Sequence, residues 1–210
     1  MTTPRVTVVD YGIGNLHSVV KALRHEGAHV KVGTEPRDLL DADRLVVPGV
    51  GAFGDGMKGL TDRGLVEPIR GFAATGRSLL GICLGMQLLF GESEEFGMHP
   101  GLCLIPGRVV EVTHGDGFKV PQIGWNRIYP ASDADWAGTL LEQVEPGAMM
   151  YFVHSYTAVP QHDSDRLADT VYAGQRISAA VHRENIWGCQ FHPEKSGPVG
   201  LTVLRRFLAA

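Results

Sequence analysis

The first half of the chain alternates between short apolar runs and amphipathic segments. Apolar runs of four or five residues bounded by glycine or polar residues predict buried strands, and apolar positions at helical spacing predict helices between them. The predicted strands span residues 6–10, 29–32, 44–47 and 78–82, and the predicted helices span residues 16–24, 36–40 and 65–75. This alternation predicts an α/β fold with a mostly parallel central sheet covered on both faces.

The second half changes to short β-rich pieces separated by Gly, Pro and Asp turns. These pieces span residues 107–113, 149–153, 156–159, 170–173 and 177–181. They predict an antiparallel or mixed edge added to the central sheet. Residues 161–167 are polar and without pattern, which predicts a surface loop. A last strand at 186–191 and an amphipathic helix at 199–208 close the chain.

Composition narrows the class of protein. A chain of 210 residues with 44% hydrophobic and 20% charged positions predicts one globular domain over residues 1–210. The net charge of −4 gives no electrostatic reason to expect nucleic acid or an anionic membrane as a partner. Three scattered cysteines, an odd number, favour a reducing compartment, and no signal-like segment opens the chain. The prediction is a cytoplasmic protein.

The sequence offers no cofactor motif. Neither a CxxC pair nor HExxH occurs, so no metal site is predicted. The turn after the first strand carries Gly12 and Gly14, but His17 stands where a dinucleotide-binding fingerprint requires its third glycine. We therefore expect neither a metal nor a dinucleotide.

The stretch 78–90, SLLGICLGMQLLF, predicts a buried strand, a sharp turn and a helix. Cys83 lies on the turn between Gly81 and Gly85, in the thiol form of the nucleophile elbow. The helix N-terminus after it stabilises a thiolate, and the Leu84 amide can bind a developing oxyanion. The plainer interpretation is that Cys83 is a small hydrophobe in a buried turn.

A glycine-rich stretch follows the third strand. Residues 48–56, PGVGAFGDG, contain four glycines and predict a loop. Strand ends in open α/β sheets surround the ligand crevice, so this loop could supply a second oxyanion donor opposite Leu84. An ordinary flexible loop is the alternative.

The third candidate is His192-Pro193-Glu194, directly after the last strand. Pro193 disfavours helix at His192 and predicts an extended segment, in which residues two apart share a face. His192 and Glu194 would then point together and Lys195 away from them. Alone, the segment could be a solvated turn. Together with the elbow and the glycine loop, it completes the nucleophile, oxyanion donors, base and base-orienting carboxylate of an acyl-transfer site.

The motifs GICLGMQ (81–87) and QFHPE (190–194) resemble the triad-type, class I glutamine amidotransferases. Further stretches resemble the glutaminase subunits of imidazole glycerol phosphate synthase: DYGIGNLHSV (10–19), PGVGAFG (48–54), KVPQIGWN (119–126), YFVHSY (151–156) and PEKSG (193–197). One departure is Gln122, where many members have histidine. The resemblance implies a three-layer, flavodoxin-like fold and hydrolysis of L-glutamine through a γ-glutamyl thioester.

The resemblance also implies roles for individual residues. Cys83 would be the nucleophile, His192 the general base and acid, and Glu194 the carboxylate that holds His192. Substrate contacts are implied for Gly49, Val50 and Gly51 of the glycine stretch, and for Leu84, Gln87, Ser155 and Tyr156. Ser155 and Tyr156 would line the α-amino-acid end of glutamine, while residues 49–51 would complete the oxyanion hole with Leu84.

A separate acceptor of ammonia is expected, because the chain carries no second domain, phosphate cradle or nucleotide motif of its own. The resemblance implies a TIM-barrel cyclase subunit, forming a heterodimer, and Lys119, Trp125 and Lys195 are the interface candidates. Three alternatives stay open at this point. They are the glutaminase subunit of another synthase, such as the pyridoxal phosphate type, a free-standing cysteine hydrolase, and a non-catalytic binding subunit.

Overall fold

The computed structural model describes residues 3–112, 119–132 and 134–210. In the first part of the chain, strands and helices alternate in the order β1 Arg5–Val9, α1 Leu16–His25, β2 His29–Gly33, α2 Pro36–Leu40, β3 Leu45–Gly49, α3 Phe53–Asp62, α4 Val66–Ala73, β4 Leu79–Cys83 and α5 Leu84–Leu88. The second part is mostly strands: β5 Glu92–Ser93, β6 His99–Pro100, β7 Gly107–Glu111, β8 Gln122–Arg127, β9 Tyr129–Pro130, β10 Met149–His154, β11 Tyr156–Pro160, β12 Arg166–Tyr172, β13 Gln175–Arg183 and β14 Ile186–Cys189, then α6 Gly197–Ala209.

The central sheet has the strand order β2-β1-β3-β4-β14-β13-β12-β9. Every neighbouring pair from β2 to β14 is parallel, and every pair from β14 to β9 is antiparallel. The parallel part has the order of flavodoxin-like sheets. Two small sheets, β10-β8 and β11-β7-β5-β6, lie outside it. The predicted α/β class, with a mostly parallel sheet and an antiparallel addition, is confirmed.

Apolar residues of the strands pack against helices on both faces of the sheet. On one face, Val8 of β1 shares a core with Leu23 of α1 and Phe207 of α6. On the other, Val47 of β3 shares a core with Phe72 of α4 and residues of α2, α3 and α5. The result is three layers, helix on sheet on helix. Within the described ranges, no helix is long and apolar enough to cross a membrane.

Three local predictions are wrong. Residues 48–56 are not one loop, because β3 continues to Gly49 and α3 begins at Phe53. Residues 161–167 are not simply a loop, since Asp163–Asp165 is a 3-10 turn and β12 begins at Arg166. The segment after His192 is not extended but forms a 3-10 turn, Pro193–Lys195, although His192 itself is extended.

Several boundaries and strands were also not foreseen. The last strand ends at Cys189 rather than residue 191, and α6 begins two residues before its predicted start. The two-residue strands β5, β6 and β9 and the six-residue strand β8 had no prediction. The predicted strand 107–113 ends at Glu111, and residue 113 lies outside the described residues.

Candidate active site

The elbow at Cys83 joins β4 directly to α5. Cys83 is the last residue of the strand and adopts φ +55°, a conformation that side chains rarely take. A Cβ on Gly81 would lie 2.7 Å from the Gly85 carbonyl oxygen, and one on Gly85 would lie 1.7 Å from the Val47 carbonyl oxygen. Gly81 is therefore required where α5 folds back on β4, and Gly85 is required where the turn packs against β3.

Neighbouring parallel strands bring the candidate segments to one edge of the sheet. Gly49, the last residue of β3, is paired with Cys83 at the end of β4. On the other side of β4, Cys189 at the end of β14 is paired with Ile82, so His192 follows only three residues beyond that edge. The carboxyl ends of adjacent parallel strands are where open α/β sheets form their sites.

His192 and Glu194 form a buried pair. The Nδ1 atom of His192 lies 2.9 Å from Oε1 of Glu194, and because a carboxylate only accepts, the ring nitrogen donates. The backbone of His192 is fixed on both sides: its N–H donates to the Tyr151 carbonyl at 2.9 Å, and its carbonyl accepts from the Ser196 hydroxyl at 2.7 Å. The orientation of the imidazole is therefore set from three directions.

The charge state of His192 follows from its surroundings. Burial lowers the pKa of His192, but Cys83 and Glu194 together outweigh burial and raise that pKa to about 9. The Nε2 atom of His192 is buried and makes no hydrogen bond in this structure. Cys83 is nevertheless close enough to raise the pKa of the imidazole. Because catalytic hydrogen bonds often form fully only with substrate bound, this geometry is compatible with proton transfer between the two.

The sulfur of Cys83 has two polar neighbours besides His192. Its Sγ atom lies 3.8 Å from the Val153 carbonyl oxygen, to which the thiol can donate, and 3.8 Å from Nε2 of Gln190, which donates to it. Cys83 is 5% exposed but lines a cavity. The sulfur is thus reachable from that cavity and not sealed in the core.

The cavity has a volume of about 380 Å³, enough for an amino acid. Six of the seven residues expected to contact substrate line it together with Cys83: Val50, Gly51, Leu84, Gln87, Ser155 and Tyr156. The seventh, Gly49, does not line it, because Gly49 belongs to β3 and packs against Tyr11 and Leu84. His192 and Glu194 do not line the cavity, and their side chains are nearly without exposure.

Gln87 is held in one orientation. Its Nε2 atom donates to the Tyr156 carbonyl at 2.9 Å and to Oε1 of Gln190 at 3.0 Å. Because an amide nitrogen has two N–H groups, both are used, and only the carbonyl oxygen of Gln87 remains for a substrate. Gln87 therefore offers an acceptor to the cavity.

Four further residues line the cavity without having been predicted: Glu95, Pro121, Val153 and His154. Burial lowers the pKa of His154 to about 4, so its imidazole is neutral at pH 7, with Nδ1 2.8 Å from the Tyr156 carbonyl. Burial raises the pKa of Glu95, whose Oε2 accepts the Phe53 N–H at 2.6 Å. His154 was inside the noted YFVHSY stretch, whereas nothing in the sequence pointed to Glu95.

Two of the three interface candidates meet at one side chain. Trp125, half exposed, packs edge-on against Tyr151 with ring centroids 5.9 Å apart, and Nζ of Lys195 lies 6.0 Å from the Tyr151 ring centroid. Lys119 is also exposed, and its carbonyl accepts from the Tyr172 hydroxyl at 2.6 Å. Within the described residues, no hydrogen bond, ion pair or ring contact joins Lys119 to the other two. Trp125 lines a groove together with the exposed apolar residues Tyr129, Met149 and Val171, and exposed Ile123 lies two residues before it on β8.

The described residues contain no group of three or more His, Cys, Asp or Glu side chains arranged to hold a metal ion.

Comparison with known proteins gives one family. The family described as "Glutamine amidotransferase class-I" matches residues 7–210. The imidazole glycerol phosphate synthase subunit HisH 1 of Legionella pneumophila (strain Paris) is 52% identical over 208 residues, which cover 97% of this chain and 98% of that protein. The corresponding HisH subunit of Wolinella succinogenes is 47% identical, covering 96% and 98%.

Other relatives extend the comparison. The chloroplastic imidazole glycerol phosphate synthase hisHF of Arabidopsis thaliana is 45% identical over 97% of this chain, but the match covers only 34% of that longer protein. Among solved structures, PurLQS from Thermotoga maritima has a TM-score of 0.75 at 20% identity, covering 99% of each chain. A solved glutamine amidotransferase has a TM-score of 0.72 at 17% identity, covering 97% of this chain and 99% of that one. These two structures support the fold.

Proposed function

Because this chain belongs to the class-I glutamine amidotransferases, and within them to the glutaminase subunits of imidazole glycerol phosphate synthase, we propose that it hydrolyses L-glutamine at Cys83. The products are glutamate and ammonia. The observation that carries the residue assignment is the buried His192–Glu194 pair beside a cysteine held on a strained elbow at the wall of a cavity.

The reaction follows from the positions of these groups. His192 takes the thiol proton at Nε2, and the Cys83 sulfur attacks the side-chain carboxamide carbon of glutamine. The carbonyl oxygen gains charge against the Leu84 amide and an N–H of residues 50–51. Collapse of the adduct expels the nitrogen as ammonia after His192 returns its proton, which leaves a γ-glutamyl thioester. A water deprotonated by His192 then cleaves the thioester to glutamate and free thiol.

Glu194 keeps His192 fit for both proton transfers. Its hydrogen bond to Nδ1 leaves Nε2 facing the reaction, and its charge favours the imidazolium formed when the thiol proton arrives. With Cys83 and Glu194 beside it, His192 has a pKa raised to about 9, so at neutral pH it keeps the proton that it takes from the thiol. The acid role needs the same proton, so one residue can serve in both halves of the reaction.

Stabilisation of the oxyanion is the step that depends most directly on the conformation of the chain. Loss of one oxyanion donor costs roughly 2.7–4 kcal/mol of transition-state stabilisation. The Leu84 amide is fixed by α5, whereas residues 50–52 only connect β3 to α3, and Gly51 has φ +96°. A rearrangement of this connection could therefore switch the glutaminase on and off.

We propose that the ammonia is accepted by a separate TIM-barrel cyclase subunit, which forms a heterodimer with this chain. In the plant relative the matching region is 34% of a longer synthase chain, which supports a second unit working beside it. In the cyclase subunit, the ammonia would react with a phosphoribulosyl-formimino carboxamide ribonucleotide. The products would be imidazole glycerol phosphate and an aminoimidazole carboxamide ribotide, in a step of histidine biosynthesis. Ammonia released at a closed interface escapes protonation in bulk water.

The face that we propose for the cyclase contains Trp125, Tyr151 and Lys195. Trp125 is exposed, Lys195 lies over the ring of Tyr151, and further apolar side chains are exposed nearby. Aromatic and apolar residues of this kind are typical of the centre of an interface. Lys119 would belong to its margin. We further propose that residues 1–210 form one amidotransferase domain and that it works in the cytoplasm, where its three free thiols stay reduced.

The test is a partner titration. Glutamate release is measured from the chain alone, with a cyclase subunit, and with a pyridoxal phosphate-forming synthase subunit, at increasing partner concentration. Stimulation by the cyclase alone is the expected result. Stimulation only by the other synthase would overturn the partner assignment, and strong hydrolysis of peptides without any partner would overturn the glutaminase assignment.

A further inference from the structure

Gln190 is a buried polar residue that the mechanism above leaves unused. It follows β14 directly, has no exposed surface, and its backbone N–H donates to the Ala179 carbonyl at 2.9 Å. Its side chain reaches between two parts of the site. The Nε2 atom lies 3.8 Å from the Cys83 sulfur, and Oε1 accepts from Nε2 of Gln87 at 3.0 Å.

We infer that Gln190 is a positioning residue that acts on the nucleophile and on the substrate pocket through one amide group. Its N–H stabilises the thiolate of Cys83, and its carbonyl oxygen holds Gln87 with its own carbonyl turned toward the substrate. The inference rests on the proposed function of Cys83 as nucleophile and deepens the description of that site.

The effect on sulfur follows from the hydrogen-bonding capacity of its two forms. A thiol can donate to the Val153 carbonyl, whereas a thiolate can only accept. The amide of Gln190 is therefore a partner that becomes more favourable when the proton leaves, and a hydrogen bond to the charged form favours that form. Gln190 itself has no exposed surface, so its N–H is not shared with bulk solvent.

The effect on Gln87 follows from the same count of donors and acceptors. Gln87 lines the cavity, and its two N–H groups are satisfied by Gln190 and by the Tyr156 carbonyl. Without the acceptor on Gln190, the Gln87 amide could rotate and present N–H to the substrate instead of a carbonyl oxygen. An N–H-bearing group of glutamine would then lose its acceptor.

The experiment compares the pH dependence of Cys83 alkylation by iodoacetamide, read by mass spectrometry of the Cys83 peptide, in the full-length chain. The variants are Gln190→Leu, which removes both hydrogen bonds, and Gln190→Glu, which places a carboxylate against the sulfur. Gln122→Leu is the matched control, because Gln122 is equally buried and its amide bonds Asn126 at 3.1 Å, with no bond to Cys83 or Gln87.

For Gln190→Leu we expect the alkylation midpoint to move to higher pH by about half to one unit, the effect of losing one modest hydrogen bond to a charged group. Gln190→Glu should move it further. In the complex, Gln190→Leu should raise KM for glutamine roughly tenfold, from the same magnitude of lost interaction. The control should leave both quantities unchanged.

Unchanged midpoints in both folded Gln190 variants would overturn the inference, since a purely structural role lowers thermal stability without moving the alkylation profile. The result is separable from the proposed function. If the midpoint moves but wild-type complex releases no glutamate, then the effect on sulfur stands and the glutaminase assignment fails. If glutamate is released and the midpoint stays, Gln190 has no role at the sulfur.

Discussion

The Nδ1 atom of His192 lies 2.9 Å from Oε1 of Glu194, and neither side chain exposes more than 2% of its surface. A histidine and a carboxylate two residues apart are common in any chain. What distinguishes this pair is its place: the turn that holds it follows β14, next to the strand that ends at Cys83. The first prediction concerns the charge of this pair.

Stability should fall as pH rises through the range in which His192 loses its proton. A pKa raised from 6.5 to about 9 in the folded chain adds stability that is complete below pH 6.5 and lost as pH rises through about 9. The loss is at most about 3 kcal/mol. Glu194→Gln should flatten this part of the curve of unfolding free energy against pH, measured by urea denaturation. Glu67→Gln, at an exposed ion pair, should keep the wild-type slope; an equally steep curve in both variants would argue against the pair.

His154 should make the stability of the folded chain depend on pH in the opposite direction, so that stability falls as pH falls. Because burial lowers the pKa of His154 from 6.5 to about 4, its contribution is present above pH 6.5 and is lost as pH falls toward 4. We expect His154→Phe to lose less stability between pH 6.5 and 4 than wild type, by roughly 1–3 kcal/mol. Urea denaturation at several pH values checks this. The exposed His17→Gln variant is the control, and an identical acid limb in wild type and His154→Phe would refute the assignment.

The elbow makes a stability prediction. A methyl group on Gly85 would lie 1.7 Å from the Val47 carbonyl oxygen, so Gly85→Ala has to separate α5 from β3. We expect a loss of more than about 3 kcal/mol or failure to fold. Gly71→Ala, in α4 with its nearest neighbour atom at 3.8 Å, should be neutral or slightly stabilising. Thermal denaturation distinguishes them, and equal stability of the two variants would contradict the packing described here.

The proposed cyclase face should depend on Trp125. Truncating a half-exposed aromatic at the centre of an interface typically costs about 2 kcal/mol or more, which is a roughly 30-fold weaker Kd. We expect Trp125→Ala to weaken cyclase binding by this amount in isothermal titration while the isolated chain keeps its melting temperature. Val32→Ala, on the edge strand β2 of the central sheet and 40% exposed, should bind as wild type does. If Trp125→Ala bound the cyclase as tightly as wild type does, the interface would have to lie on another face of the chain.

Sequence patterns predicted the parallel part of the fold because its strands are short apolar runs and its helices are amphipathic. They missed α3 because Gly54, Gly56 and Gly59 disfavour helix in isolation. In the folded chain a Cβ at Gly59 would lie 2.6 Å from the Tyr11 carbonyl oxygen, so tertiary packing selects these glycines within a helix. A local pattern carries no information about that contact.

The start of β12 was missed for a related reason. Arg166 and Asp169 look like surface residues in sequence, but they are buried and paired with Nη2 and Oδ1 2.6 Å apart. The predicted triad residues and most of the cavity wall were found from motifs, since each of them lies within a short stretch of sequence that can be recognised by itself. Glu95 follows β5 and reaches the cavity through a tertiary contact, in which its Oε2 accepts the Phe53 N–H at the start of α3, so no spacing in the sequence reveals it.

The central claim is that Cys83 breaks the glutamine amide and that the acceptor reaction takes place elsewhere. The direct measurement is synthesis by the complex of Cys83→Ala with the cyclase, once with glutamine and once with an ammonium salt as nitrogen donor. Cys103→Ala, at an exposed thiol, is the control and should retain both reactions. The account predicts that Cys83→Ala loses the glutamine-dependent reaction by at least about a thousandfold and keeps the ammonia-dependent one. Loss of both reactions together, or retention of the glutamine-dependent one, would contradict it.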